Sequence, residues 1–127
     1  MKEIKTLSDV KNIKVNSRRI YSANHDEILA GMTTDIYFIK TMEILRHMGI
    51  SKKEVVAEVF PRRSGVMCGT QEVLNLLQDK DVEIYALPEG ETFEAKDTVM
   101  RIIGPYEEFG IYETVLLGML AHSSAWA

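Results

Sequence analysis

The sequence predicts an α+β domain with a mostly antiparallel sheet and helices on one face. Short runs rich in β-branched residues, most of them ended by Pro or Gly, indicate strands. Longer segments with apolar residues at spacings of three and four indicate helices. After a first helix, the predicted elements follow the order β-α-β-β-β-α, which fits the α+β class.

Length and composition are those of one globular domain. The chain has 127 residues, of which 46% are hydrophobic and 27% charged, and its formal net charge is -4. A chain of this size can bury about two-thirds of the surface that it exposes when unfolded. The acidic balance gives no electrostatic case for nucleic acid or an anionic membrane. We find no signal peptide and no bilayer-spanning run, so we expect a cytoplasmic protein.

The cysteine and histidine content gives no pattern for a metal site. Cys68 is the single cysteine, and the three histidines lie far apart with no ligand spacing. A zinc site would need more cysteines or a Cys/His cluster. We therefore expect no metal ligand in this chain and interpret Cys68 as a small, half-buried residue.

The first strong element is a helix predicted over residues 34–48. Thr33 is its expected N-cap, Asp35 lies in the first turn, and Gly49 follows as the C-terminal cap. The apolar stripe of this helix consists of Phe38, Met42, Leu45 and Met48. Residues 1–30, which precede it, are polar and of mixed charge, and we expect an arm or a short strand with loops there.

The middle of the chain alternates short strands with turns. A strand is predicted at 54–60, followed by a loop at 62–65 and a helix at 70–78. Three more strands are predicted at 82–87, 92–94 and 98–103, separated by turns that contain Pro, Gly or Asp.

The last element is a helix predicted from Tyr106 to the end of the chain, about 30 Å long at 1.5 Å per residue. It should be straight and continuous. Residues 115–120 are apolar on every side, which is typical of a helix buried all round, whereas a small sheet covers only one side. We therefore expect that the sequence is cut and that a missing part covers the other side. A symmetric dimer contact through this helix is the alternative.

Three segments of the chain carry a family resemblance. Residues 34–38, TDIYF, are similar to a T-D-x-Y opening of the first long helix. Residues 59–63, VFPRR, are similar to a strand end with an arginine after an aromatic residue. The third runs from 89–91, EGE, through Gly104-Pro105 to 112–118, YETVLLG. In this order and spacing, over about 24–127, they resemble the nicotinate phosphoribosyltransferases, a branch of the family that includes the quinolinate and nicotinamide enzymes.

The resemblance implies an enzyme that condenses nicotinate with phosphoribosyl pyrophosphate, coupled to ATP hydrolysis, to give nicotinate mononucleotide in NAD biosynthesis. Residues 1–107 would form an α/β-hammerhead N-terminal domain, and 108–127 would begin the helix that leads into a missing C-terminal barrel. That barrel would hold the catalytic groups. Mg²⁺, phosphoribosyl pyrophosphate and ATP are implied for the full-length enzyme, and none is expected to be bound by this part alone. The family also implies a homodimer in which the N-terminal domain completes the partner's active site.

Two candidate substrate-binding residues lie at the start of the first helix. In the family, the tyrosine that matches Tyr37 stacks on the pyridine ring across the dimer. In the nicotinamide enzymes, the aspartate that matches Asp35 approaches the pyridine substituent. Helical geometry puts Tyr37 at the edge of the apolar stripe, where its ring can face a flat partner. The alternatives are an ordinary tyrosine at the core margin and a simple helix N-terminal charge.

Three further candidates are Arg62, Arg63 and Thr114. The arginines follow a strand end, and their planar donor forks suit phosphate or carboxylate. Arg62 matches the family position better than Arg63, and a solvated basic pair is the alternative. The quinolinate branch has an arginine after the glutamate that matches Glu113, where it helps to bind a diacid. Because Thr114 stands there instead, the sequence favours nicotinate, which has one carboxylate.

Two other functions remain open for this sequence. Residues 89–105 are similar to the barrel-sandwich strands of carrier and ligand-binding domains, which would make the chain a binding module without catalysis. That explanation covers the sheet but neither the T-D-x-Y helix nor the long last helix, and Lys96 lacks the M-K context of a carrier lysine. The second alternative is a quinolinate phosphoribosyltransferase, which Thr114 disfavours.

Overall fold

The structure, a computed structural model, describes residues 3–13 and 24–127. Its elements are α1 (Leu7–Lys11), α2 (His25–Leu29), α3 (Ile36–His47), β1 (Glu54–Val59), β2 (Gly65–Val66), α4 (Thr70–Leu77), β3 (Glu83–Ala86), β4 (Thr92–Phe93), β5 (Met100–Pro105), α5 (Tyr106–Phe109), a 3-10 turn (Gly110–Tyr112) and α6 (Glu113–Trp126). None of these helices is long and apolar enough to span a membrane.

Two antiparallel sheets organise the strands. In the larger sheet, β5 lies between β1 and β3, and it pairs antiparallel with both. The smaller sheet pairs β2 with β4, also antiparallel. The α+β class with a mostly antiparallel sheet, predicted from the sequence, is confirmed.

Alternation along β1 and β5 separates a core face from a solvent face. Met100 and Ile102 on β5 are each 1% exposed, and their partners on β1, Val59 and Ala57, are partly buried against the same core. Arg101 points the other way, where its guanidinium forms a 2.6 Å ion pair with Glu58. Because that pair is solvent-exposed, it contributes about 0–1 kcal/mol. The apolar alternation is therefore what orients the sheet toward the helices.

Tyr112 joins the C-terminal segment to the N-terminal helices. Its side chain is 1% exposed, and its hydroxyl donates a 2.9 Å hydrogen bond to the carbonyl of Leu29. The ammonium of Lys80 lies 5.2 Å from the centre of its ring. Leu116 and Leu120 continue the same core along α6. The C-terminal segment is thus an integral part of this core.

The N-terminal region contains helices where the sequence analysis predicted an arm or a short strand. Thr6 caps α1 and Asn24 caps α2, each in a reciprocal capping box with the third residue of its helix, Asp9 and Glu27. These boxes satisfy backbone N–H groups that a short helix would otherwise leave open. The prediction is wrong for the described part of 1–30, and residues 14–23 lie outside the described residues.

The first long helix begins later than predicted. α3 starts at Ile36, so its N-cap is Asp35 and not Thr33, and the Asp35 side chain makes no capping hydrogen bond. Gly49 has a φ of 71°, which agrees with its predicted place after the helix end. The buried face is also rotated from the predicted stripe, because Ile39 is 3% exposed whereas Met48 is 63% exposed.

The C-terminal segment is not one straight helix, so that prediction is wrong. α5 ends at Phe109, and the 3-10 turn over 110–112 separates it from α6. The tighter turn brings both Ile111 and Tyr112 into the core together with Phe109. Gly110 permits the bend, because a Cβ there would lie 2.7 Å from the ring of Tyr106.

α6 packs on the core with one side only. Leu116 and Leu120 are buried, whereas Leu117 is 39% exposed and Trp126 is 83% exposed. The exposed side of α6 agrees with the expectation that the small sheet covers only one side of this apolar helix. The boundary predicted between 107 and 108 stays a prediction.

Gly69 holds α4 against α6 and gives a test of the packing. Its φ is 96°, and a Cβ would lie 2.9 Å from the carbonyl oxygen of Met119. Gly69→Ala should lower the free energy of unfolding by about 2 kcal/mol or more, through both backbone strain and that contact. Gly90→Ala is the matched control, because Gly90 has a φ of 86° with nothing within 4 Å of the added Cβ. Equal losses in the two variants, measured by denaturant unfolding, would contradict the contact with α6.

Candidate functional site

A hydrogen bond joins the N-termini of α3 and α6. The Thr114 hydroxyl donates to Oδ2 of Asp35 at 2.8 Å, across 79 residues of sequence. The Asp35 carboxylate is therefore occupied by α6 and does not cap its own helix. Two candidates chosen from the sequence for separate reasons are direct neighbours in the fold.

Tyr37 lies in the first turn of α3, next to that hydrogen bond. Its side chain is 55% exposed, and its ring centre lies 4.1 Å from that of the buried Phe38. Desolvation by the atoms around it, and then the charges of Asp35 and Glu113, raise the pKa of the Tyr37 phenol. The Tyr37 ring is therefore uncharged, packs against Phe38 and is open to solvent on its exposed side. Contact with a substrate at this face stays a prediction.

Glu113 and Tyr106 belong to the same neighbourhood, and the sequence analysis assigned them no role. Partial burial raises the pKa of the Glu113 carboxyl. Burial, followed by the charge of Glu113 and the nearby Tyr37, raises the pKa of the Tyr106 phenol. We call the set of Asp35, Tyr37, Tyr106, Glu113 and Thr114 the helix-start cluster. The members of the helix-start cluster come together only because α3 packs against the α5–α6 segment. No local sequence motif connects residues 35–37 with residues 106–114.

Arg62 and Arg63 lie on the loop between β1 and β2 and are both exposed. Together with Phe60, which is 61% exposed, they border a groove of about 640 Å³ whose opposite wall is α6. Neither arginine forms an ion pair within 3–13 and 24–127. Two unpaired guanidinium groups beside an open groove can bind an anion such as phosphate or carboxylate.

One face of α6 connects the groove to the helix-start cluster. Thr114, Leu117 and Ala121 follow each other at helical spacings of three and four, so they lie on one side of the helix. Leu117 and Ala121 line the groove, whereas Thr114 bonds to Asp35. Thr114 and Ala121 are about 10 Å apart along the helix at 1.5 Å per residue. Of the candidates from the sequence, Thr114 lies on this side of α6, Asp35 bonds to it, and Arg62 and Arg63 border the groove beside it.

Cys68 and Glu89 form a structural contact at the start of α4. The Glu89 carboxylate accepts hydrogen bonds from the backbone N–H groups of Gly69 at 2.9 Å and Gln71 at 3.0 Å. The bond from Gln71 is the main reason why the pKa of Glu89 is lowered. Burial and then Glu89 raise the pKa of the Cys68 thiol, which makes it a weak nucleophile. Cys68 is half-buried, as expected from the sequence.

Glu89 should stabilise the fold in a pH-dependent way. A carboxyl whose pKa is lower in the folded state stabilises at pH values above its unfolded pKa, and this contribution is lost as the pH falls through the folded value. Glu89→Gln should lower the unfolding free energy at pH 7 by about 1 kcal/mol, as the loss of other helix caps does. Glu91→Gln, in the same exposed turn, is the control. A Glu89→Gln variant that kept the full acid dependence of stability would show that this cap does not titrate.

The described residues do not assemble a metal site. Within 3–13 and 24–127, no three His, Cys, Asp or Glu side chains are grouped in a way that could hold an ion. The helix-start cluster contributes two carboxylates, Asp35 and Glu113, and one hydroxyl that is already bonded to Asp35.

Comparison with known proteins identifies the family. The family model for the N-terminal domain of quinolinate phosphoribosyl transferase matches residues 35–124. The crystal structure of a nicotinate-nucleotide pyrophosphorylase from Pyrococcus furiosus is 47% identical with a TM-score of 0.76, and the match covers 82% of this chain and 28% of that one. The sequence identity between this chain and the Pyrococcus furiosus protein is thus well above what a shared fold alone requires.

More distant structures share the fold. Human nicotinic acid phosphoribosyltransferase is 18% identical with a TM-score of 0.63, over 68% of this chain and 25% of that one. A nicotinate-nucleotide pyrophosphorylase from Francisella tularensis is 19% identical with a TM-score of 0.51, over 83% and 39%. This chain therefore spans well under half the length of each of these relatives. By the match over 35–124, the chain belongs to the family of quinolinate phosphoribosyl transferase N-terminal domains.

Proposed function

We propose that this domain is part of an enzyme that transfers phosphoribosyl from phosphoribosyl pyrophosphate to nicotinate, giving nicotinate mononucleotide in NAD biosynthesis. Family membership and the Pyrococcus furiosus relative support a phosphoribosyltransferase that acts on a pyridine carboxylate. The observation that carries the choice of nicotinate is Thr114. Where the quinolinate branch has an arginine, this chain has a hydroxyl that is committed to Asp35.

The exposed ring of Tyr37 suits the pyridine ring of the substrate. An electron-poor flat ring stacks favourably on an aromatic face, and the contact adds about 0.5–1.5 kcal/mol beyond the area that it buries. In the proposed enzyme this domain completes the active site of the partner subunit in a homodimer. Tyr37 would then contact the base from across the dimer, with Asp35 near the ring substituent.

Arg62 and Arg63 suit the charged part of the reactants. Their guanidinium groups border the groove beside α6 and have no ion-pair partner among the described residues. We assign Arg62 to a phosphate group and Arg63 to a supporting role at the same loop. Both would bind and orient, while the remainder of the enzyme would supply Mg²⁺, the ATP site and the groups that promote departure of pyrophosphate.

Quinolinate is the second candidate substrate. The specific observation in its favour is that the family model matching residues 35–124 is that of quinolinate phosphoribosyl transferases. A diacid would need a cation for its second carboxylate, and none lies in the helix-start cluster. The carrier-module alternative gains no support from the family match.

The transferase activity is tested on the full-length protein that carries this chain. Pyrophosphate release from phosphoribosyl pyrophosphate, with Mg²⁺ and ATP present, should depend on added nicotinate. The purified 127-residue chain is the matched control, and it should release none. Release that needs no pyridine base, or turnover by the control chain, would contradict the proposal.

A further inference from the structure

The N-terminal segment, which we define as residues 3–11, lies in a cleft between α3 and the 3-10 turn that precedes α6. Ile4 is 5% exposed, and its backbone N–H donates a 2.8 Å hydrogen bond to the carbonyl of Ala30. Together with Ile39 of α3 and Ile111 of the turn, it borders a void of about 10 Å³. Such a void holds about one water at most, so Ile4 fills the cleft almost completely.

Two side chains of α3 hold the backbone of the N-terminal segment. Oε1 of Glu43 accepts a 2.9 Å hydrogen bond from the N–H of Leu7. Nη1 of Arg46 donates a 2.6 Å hydrogen bond to the carbonyl of Lys5. Nε of Arg46 also lies 3.9 Å from Oε2 of Glu107 on α5. The segment is therefore fixed to α3 by its backbone, at the place where α3 meets α5.

The cleft filled by Ile4 lies next to the helix-start cluster. Ile39 follows Asp35 by one helical turn, and Ile111 precedes Thr114 by three residues. The 2.8 Å bond between Thr114 and Asp35 joins the same two parts of the fold. Because protein interiors are close-packed, a change of even one methylene in a buried side chain is felt by its neighbours. The size of the side chain at position 4 therefore affects how α3 pairs with the α5–α6 segment.

We propose that Ile4 is a positioning residue, which sets the pairing of α3 with the α5–α6 segment and thereby the placement of Asp35 and Tyr37. Ile4 acts through packing and not through contact with the substrate. The N-terminal segment precedes residues 35–124, which match the family model, so the family match assigns it no role. The consequence for catalysis rests on the proposed function, which puts the base on Tyr37, whereas the consequence for the fold does not.

Hydrogen–deuterium exchange of the full-length protein tests the structural part. Ile4→Ala leaves a cavity between α3 and the turn, so the amides of residues 39–42 and 116–118 should exchange at least about ten-fold faster. The amides that pair β1 with β5 should stay within about two-fold of wild type, because the opening is local. Ile4→Val should give the same pattern at about two- to four-fold. Ser8→Ala, at an exposed position of the same segment, is the matched control and should change none of them.

Steady-state kinetics give a readout that a merely structural role would not move. Ile4→Ala should raise the KM for nicotinate at least about three-fold, because Tyr37 and Asp35 shift with α3. The KM for phosphoribosyl pyrophosphate should stay within about two-fold, since Arg62 and Arg63 lie on another loop. Ile4→Val should restore most of the KM for nicotinate.

Four results would overturn the inference: equally faster exchange in β1 and α3, unchanged exchange at residues 39–42, an unchanged KM for nicotinate, or equal changes in the two KM values. If Ile4→Ala does not fold, the exchange pattern of Ile4→Val decides in the same way. The exchange measurement uses no substrate, so its outcome is independent of the proposed function. If the wild-type protein releases no pyrophosphate with any pyridine acid, the proposed function fails on its own.

Discussion

Replacing Tyr37 by Ala in the full-length protein should raise the KM for nicotinate by more than about ten-fold and leave the fold intact. Loss of stacking alone accounts for about two- to twelve-fold, and the loss of burial and orientation of the base adds to it. The stability should change little, because the side chain is 55% exposed. Melting temperature and nicotinate KM, measured on the same preparation, check both parts.

Tyr37→Phe is the matched control for the ring face. It keeps the aromatic ring and the contact with Phe38. It removes only the hydroxyl, which makes no hydrogen bond with the described residues. Its KM should stay within about three-fold of the wild-type value, since the stacking area is unchanged. If the Ala variant melted several degrees lower but kept the KM for nicotinate, Tyr37 would be an ordinary tyrosine at the core margin and not a substrate contact.

Replacing Thr114 by Arg should move the substrate preference toward quinolinate. The new guanidinium would stand beside Asp35 and Glu113, where it can pair with a second substrate carboxylate. We expect the ratio of kcat/KM for quinolinate to that for nicotinate to rise by at least about ten-fold, as expected when a site gains a charged partner for a buried group. Kinetics with each acid separately measure this ratio.

Thr114→Val separates the added cation from the lost hydrogen bond. Valine has a similar shape but cannot donate to Asp35, so it removes the 2.8 Å bond without adding charge. It should lower activity with nicotinate and leave the preference between the two acids unchanged. If Val and Arg shifted the preference equally, the position of Asp35 rather than the charge at 114 would set specificity.

The sequence predicted the regular elements well where their signals are local. β1, α3 and α4 lie within one or two residues of the predicted ranges. Their apolar patterns are local, and Pro61 and Gly49 mark the ends of β1 and α3. The capping boxes of α1 and α2 were also present as T-x-x-D and N-x-x-E patterns, but the polar composition of the region obscured them. The break at Gly110 lets Phe109, Ile111 and Tyr112 all pack into the core. Apolar periodicity does not predict such a break.

The candidate site was predicted residue by residue but not as an arrangement. The family motifs singled out Asp35, Tyr37 and Thr114, yet the bond between Asp35 and Thr114 closes only when α3 and α6 pack together. Glu113 and Tyr106 were missed because their properties come from burial and, for Tyr106, also from the charge of Glu113. Long-range packing of this kind leaves no periodic signal in the sequence.

A competition between the two pyridine acids tests the proposed substrate most directly. Equal concentrations of nicotinate and quinolinate are supplied together with phosphoribosyl pyrophosphate, Mg²⁺ and ATP, and the disappearance of each acid is followed by chromatography. If one uncharged hydroxyl at Thr114 sets the preference, the full-length wild-type protein should consume nicotinate while quinolinate remains. Consumption of quinolinate with nicotinate left unchanged would contradict that account and make the chain part of a quinolinate phosphoribosyltransferase.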